Sequence, residues 1–252
     1  MLLLLTLLSM SLVLGIVGCG NNKKSNTFDQ MKERGKLVIG TEASYRPFEY
    51  HDENDEIIGF DIDIAKAIAE ELNLELEIKD IDFDGLIPSL KTGKFDMVIA
   101  AMTITEARKK AVSFSSPYFD ASQVIAVVSS NNEIKGVADL KGKKVGVQLG
   151  TTGDLEVSEM SGIEVTRYEK IPQAFIDLKN GRIDAVVNDM PVTATYVRER
   201  EGVKIIGESF TEEYYGIAFR KNDNKLEEEI NNALKNIKDK GIYDEIYAKW
   251  FN

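Results

Sequence analysis

Two side chains of opposite charge stand where this chain could recognise a small charged molecule. Arg108 follows Thr105-Glu106-Ala107, in which Thr105 is a good N-cap, so its guanidinium falls in a first helical turn. A planar fork there suits a carboxylate. Asp189 stands just beyond the apolar run Ala185-Val186-Val187, where a buried acid suits an ammonium group that replaces its lost hydration. Each has a plainer reading. An arginine in Glu-Ala-Arg-Lys-Lys is commonly a solvated helix residue, and an aspartate before Met190-Pro191 can simply cap a helix.

Other polar and aromatic residues gather at similar places. Gly150-Thr151-Thr152-Gly153 can open a helix with free backbone amides and two hydroxyls aimed at one spot, a site for a small anion. It is not a nucleotide loop, because no lysine precedes the hydroxyl pair and the glycine spacing is wrong. Glu42 and Tyr45 follow the first strand, Ala100, Ala101 and Thr103 follow a second, and Gln148 ends a third. Tyr45 and Phe83 are aromatics in strand-end loops, where rings are as a rule core rather than ligand contacts.

The elements that must position these residues read as βαβ units. From Lys36 onward, short β-branched runs alternate with amphipathic helical patterns, the mark of mainly parallel sheets. Leu37-Val38-Ile39 is the first strand. Asp61 is placed to cap a helix with Ile64, Ala65, Ile68, Ala69 and Leu72 on one face, and residues 74–78 alternate as a half-buried strand. The stretch Leu90-Lys91-Thr92-Gly93-Lys94-Phe95-Asp96-Met97-Val98 returns as Leu178-Lys179-Asn180-Gly181-Arg182-Ile183-Asp184-Ala185-Val186. In each copy a helix ends at a glycine suited to the left-handed conformation, and an aspartate leads into a buried strand. A weaker echo joins residues 35–40 to residues 142–147, both reading as the first strand of a lobe. Two similar α/β lobes follow, and in such sheets ligands sit beyond the carboxyl ends of the strands.

Composition removes several classes of function. With 42 acidic against 31 basic side chains and no basic block, the surface that neutralises phosphates is missing, so nucleic acid is excluded as a partner. There is no HExxH, GxSxG, CxxC or GxGxxG motif, and the single histidine, His51, lies in an acidic turn, so no metal, cofactor or nucleophile–base pair is expected.

The N-terminus is distinct. Residues 2–17 are apolar but for four small residues, too short to span a membrane comfortably, and read as a signal-peptide segment, 1–18. Ile16-Val17-Gly18-Cys19 resembles a bacterial lipobox, in which the cysteine is lipidated. Cys19 is the only cysteine, so it can form no internal disulfide. Small polar residues after it give a lipidated tether, 19–30, to a folded body.

Five motifs carry a family resemblance: Gly40-Thr41-Glu42-Ala43-Ser44-Tyr45-Arg46-Pro47-Phe48, Gly59-Phe60-Asp61-Ile62-Asp63, Phe83-Asp84-Gly85-Leu86-Ile87-Pro88-Ser89-Leu90, Met102-Thr103-Ile104-Thr105-Glu106-Ala107-Arg108, and Val145-Gly146-Val147-Gln148-Leu149-Gly150-Thr151-Thr152-Gly153. Residues 31–252 resemble solute-binding protein family 3, the amino-acid-binding lipoproteins of ABC transporters, and the motifs look most like its arginine-binding members. The resemblance implies a type II periplasmic-binding-protein-like α/β fold of two lobes joined by a two-strand hinge, lobe 1 being 31–120 plus 216–252 and lobe 2 being 121–215. It implies that Arg108 clamps an α-carboxylate with the Thr103 and Thr152 amides or hydroxyls, with Thr151 beside them. Asp189 and the Ala101 carbonyl would take the α-ammonium, and Tyr45 and Phe83 would sandwich the side chain. Glu42, Ala100, Gln148 and Asp120 would face the side-chain pocket, and an acid at Glu42 favours arginine, then lysine, with glutamine as the alternative. The implied partners are a free L-amino acid, an ABC permease and, through the lipid, the outer face of a membrane; a monomer is expected. The family's relatives include cyclohexadienyl dehydratases, for which Glu42 would have to serve as the general acid.

Overall fold

The structure, a computed structural model, describes residues 26–252. The expected signal segment, Cys19 and the tether as far as residue 25 lie outside the described residues. The first helix, Thr27–Arg34, begins inside the stretch expected to be tether. The Asn26 side chain accepts from the Asp29 N–H at 2.9 Å, Met31 is fully buried, and Thr27 donates to Asp223 at 2.9 Å, so these residues are part of the folded body.

Two five-stranded sheets share one topology. The first runs in the order Glu75–Asp80, Lys36–Thr41, Met97–Val98, Ala218–Arg220, Val112–Phe114; the second runs Glu164–Tyr168, Lys144–Gln148, Ala185–Asp189, Gln123–Val128, Val203–Ile206. In each, the first three strands are parallel and the last two are antiparallel to their neighbours. Between the sheets Phe119–Ala121 pairs antiparallel with Glu213–Tyr215, so the chain passes from one lobe to the other twice.

The sequence repeat has a physical basis. Asp96 accepts the Val38 N–H at 2.8 Å and Asp184 accepts the Lys144 N–H at 2.7 Å, so each aspartate ties down the start of its lobe's first strand. Phe95 and Ile183 lie against Gly40 and Gly146, where an added Cβ would come within 2.5 Å of either side chain. These contacts set Val38 opposite Lys144 rather than Val145, so the weaker echo holds with a shift of one residue. Gly93 and Gly181 both adopt the left-handed backbone, φ 77° and 69°.

The core of the first lobe is closed by the penultimate helix Asn224–Asp239, whose Leu226, Ile230, Leu234 and Ile237 are buried against Ile64 and Ile68 of the helix Phe60–Glu71. That helix starts differently from expectation. Gly59 holds the N-cap position, and Asp61 lies in the first turn with its side chain fully buried. Here the preceding chain crosses so closely that the Phe60 and Asp61 N–H groups bond the Pro47 and Phe48 carbonyls, both at 2.9 Å. A Cβ at Gly59 would fall 2.0 Å from the Phe48 oxygen, and its φ is 143°. Gly59→Ala is therefore expected to cost about 2 kcal/mol or more of folding stability, read as a lower urea midpoint at unchanged slope; an unchanged midpoint would show that this close approach is not required.

Candidate ligand-binding site

Arg108 reaches the cleft because Thr105 caps its short helix, Glu106–Lys109, accepting the Arg108 N–H at 3.1 Å. The guanidinium is buried, not solvated. Nη1 donates to the Thr103 carbonyl at 2.7 Å, Nη2 donates across the cleft to the Gly150 carbonyl at 3.0 Å, and the Phe83 ring lies 5.2 Å away as a cation–π floor. Burial lowers its affinity for the proton, and the negative charges of Asp189 and Glu213 oppose that.

Asp189 occupies the N-cap position of the helix Met190–Glu199, yet its side chain makes no capping bond. The carboxyl turns instead toward the cavity, where the Tyr215 hydroxyl and Gln123 Nε2 donate to it. Burial, then repulsion from Glu213, raises its pKa to about 6. Neither Arg108 nor Asp189 is in an ion pair among the described residues, although both line one small, tightly closed cavity.

Tyr45, Phe83, Ala101 and Thr103 of the first lobe and Gln148, Thr151 and Thr152 of the second share that wall. The Tyr45 hydroxyl donates across the cleft to Asn188 at 2.9 Å. Glu42 is buried one layer behind: Ser44 donates to it at 2.7 Å and Gln148 Nε2 at 3.0 Å, and burial raises its pKa. Gln148 also donates to the Glu169 carbonyl at 3.0 Å, which leaves its buried Oε1 with no donor. Ala100 packs its side chain with Leu86, Phe95 and Val98 in the core rather than on the cavity wall. Asp120 is exposed on the hinge strand, beside Tyr243 and Tyr247, away from the cavity.

The threonine hydroxyls are spent otherwise than expected. Thr151 Oγ1 donates to the Gln148 carbonyl at 2.8 Å and accepts the Asp154 N–H as an N-cap. Thr103 and Thr152 donate to one oxygen of Glu213, at 2.8 and 2.7 Å, while Thr211 donates to its other oxygen at 2.9 Å. A hydroxyl has one proton, so these groups hold none for an anion in the cavity. What they leave are backbone donors: the Thr152 and Gly153 amides at the start of the helix Thr152–Glu159, and the Thr103 N–H, which points away from the hinge strand at the Thr103–Tyr215 bridge. Glu213 and Gln123, which hold the cavity residues Thr103, Thr152 and Asp189, are residues that sequence reasoning missed. The signal was only a glutamate at the head of an expected hinge strand. Ala101 adopts φ 45°, a left-handed conformation costing a non-glycine residue about 1–2 kcal/mol, and its N–H is held by Asp61 at 2.7 Å.

This architecture, two α/β lobes with opposed charges at the strand ends between them, defines a two-lobed small-solute receptor of the type II binding-protein fold. The chain belongs to the bacterial extracellular solute-binding proteins, family 3, whose model matches residues 37–252. It is 40% identical to the ABC transporter arginine-binding protein 1 of Escherichia coli (strain K12), covering 86% of this chain and 90% of that protein. It is 36% identical to the ABC transporter glutamine-binding protein GlnH of Bacillus subtilis (strain 168), covering 98% and 95%. A solved structure of an ancestral arginine-binding protein bound to arginine matches with a TM-score of 0.85 at 53% identity, covering 87% of this chain and 99% of that one.

The raised pKa of Asp189 has a measurable consequence for folding. The folded carboxyl keeps its proton up to about pH 6, whereas the unfolded one releases it near 3.8, so its stabilising effect is complete below 3.8 and is lost as pH rises through 6. Urea melts at about pH 4 and about pH 8 are expected to show that the wild type loses up to about 3 kcal/mol relative to Asp189→Asn over this range. A constant difference between the two proteins would contradict that environment.

Proposed function

We propose that this protein is the extracytoplasmic receptor of an ABC importer and that it captures one free basic L-amino acid, arginine first and lysine next. The observation that carries the reading is the pair of buried, mutually unpaired charges, Arg108 and Asp189, on one small cavity. An uncompensated buried charge is costly, and a zwitterion compensates both at once. Its α-carboxylate meets the Arg108 fork together with the Thr103 N–H and the Thr152–Glu159 helix N-terminus. Its α-ammonium meets Asp189 and the Ala101 carbonyl. Tyr45 and Phe83 flank the side chain.

The far end of the pocket favours a cation. Glu42 is a buried carboxylate with only neutral donors, and Gln148 adds an acceptor without a donor. A guanidinium offers several N–H donors and a positive charge to this pair of acceptors; a carboxamide leaves the Glu42 charge unbalanced. A cyclohexadienyl dehydratase-like enzyme would use Glu42 as its general acid, but that carboxylate is committed to Ser44 and Gln148. The proposal includes lipidation at Cys19, which tethers the receptor at the outer membrane face, and a monomer whose closed form engages an ABC permease.

Calorimetry across the amino acids tests the reading. Arginine and lysine are expected to bind tightly, and Arg108→Ala to lose about 2–5 kcal/mol for every amino acid. Glu42→Gln is expected to weaken arginine by about 2 kcal/mol while leaving glutamine nearly unaffected. Tight binding of glutamine alone, or turnover of prephenate that disappears in Glu42→Gln, would replace this reading.

A further inference from the structure

The motif Gly59-Phe60-Asp61 takes no direct part in the site described above, yet it ends within one hydrogen bond of it. Gly59 lets the backbone at Phe48 and Glu49 pass against the start of the helix Phe60–Glu71, and the approach sets two carboxyl side chains together. Asp61 is fully buried and Glu49 is 1% exposed. Asp61 Oδ2 accepts the Ala101 N–H at 2.7 Å and the Tyr118 hydroxyl at 2.6 Å. Its other oxygen, Oδ1, and Oε2 of Glu49 are buried without a hydrogen-bond partner, and each carboxyl lies in the electrostatic reach of the other. No lysine, arginine or histidine bonds or pairs with either carboxyl among the described residues.

We propose that Glu49 and Asp61 share a single proton and that this pair is a positioning element of the ligand site, fixing Ala101 in its left-handed conformation. Two adjacent buried carboxylates with no cation cannot both stay ionised, so a proton must lie between them. Asp61 is the partner that keeps its negative charge, because it lies in the first turn of a helix and already accepts two donors. Glu49 holds the proton and donates it to Asp61. In agreement, burial raises both groups, Asp61 to about 6 and Glu49 well above its ordinary range. The groups facing the pair act the same way: Glu42 and Asp189 push Glu49 up further, and Tyr45, Tyr118 and Tyr243 are neutral hydroxyls near it.

The consequence for binding runs through the backbone. With its N–H held by Asp61, Ala101 lines the cavity that Asp189 also lines, and the amino-acid-binding reading puts its carbonyl on the ligand ammonium. Removing the proton would set two charges face to face, drive Asp61 off the Ala101 amide and release the left-handed backbone. This step rests on the amino-acid-binding reading of the cavity; the pairing itself does not.

Infrared difference spectroscopy of wild type against Glu49→Gln at neutral pH reads the proton directly. A protonated-carboxyl C=O band is expected in the wild type and absent from the variant; no such band overturns the shared proton. The positioning role is read by calorimetry with arginine and by amide hydrogen exchange at Ala101. Glu49→Gln, whose amide can replace the shared proton, is expected to bind arginine about tenfold or more tightly than Glu49→Leu, which offers no donor. The Ala101 amide is expected to be protected in the wild type and Glu49→Gln and to exchange readily in Asp61→Ala. Equal arginine affinity in the two Glu49 variants, or an Ala101 amide indifferent to Asp61, overturns the positioning role. If the wild type binds no amino acid, the functional reading fails, while the infrared and exchange measurements still decide the pair.

Discussion

A guanidinium and a carboxylate buried on the walls of one cavity would be expected to collapse onto each other, since that is the cheapest way to compensate both. Here Arg108 and Asp189 are held apart by neutral partners: carbonyls of Thr103 and Gly150 for one, Tyr215 and Gln123 for the other. Each partner belongs to an element fixed for another reason. Thr103 is bridged to Tyr215 of the crossing strand, Gly150 precedes a capped helix, and Tyr215 and Gln123 lie on or beside the strands that cross between lobes. The repeated fold is what allows charges from two different sheets to meet at a common place without meeting each other.

The hinge carries more of this than its length suggests. Glu213, at the head of a three-residue strand, takes a hydroxyl from Thr103 of one lobe and another from Thr152 of the other on the same oxygen. Both bonds exist together only when the lobes are near each other. Aromatic packing behind the strand, Phe119 on Tyr215 and Phe48 edge-on to both, gives the crossing a rigid backing. At the rim, Arg46 and Glu199 form a cross-lobe ion pair at 2.7 Å, but with both side chains more than a third exposed it is worth at most about 1 kcal/mol. Closure in this account depends on the interior charges, not on the rim.

Much of this was legible in the residues. The strand–helix alternation and the Gly93–Asp96 and Gly181–Asp184 repeat pointed to two equivalent lobes, because left-handed glycines and strand-starting aspartates are local requirements visible in one sequence. Thr105 as the cap that sets Arg108 was likewise local. The missed features were those fixed by distant partners. Nothing near Thr152 in sequence says that its hydroxyl is spent on Glu213, 61 residues away. Asp61 read as a helix cap because the close crossing of the chain at Phe48, which makes Gly59 the cap and turns Asp61 inward, is a tertiary fact. Ala100 and Ala101 are neighbours in a motif, yet one faces the core and the other the cavity, a division made by the left-handed turn at Ala101.

The central claim is that a zwitterion bridges Arg108 and Asp189 and thereby holds the lobes together. Small-angle X-ray scattering of the protein with and without saturating arginine tests it most directly. The account expects the radius of gyration to fall on adding arginine to the wild type and to stay at the ligand-free value in Arg108→Ala. A wild-type radius indifferent to arginine, or an equal contraction in Arg108→Ala, would contradict it.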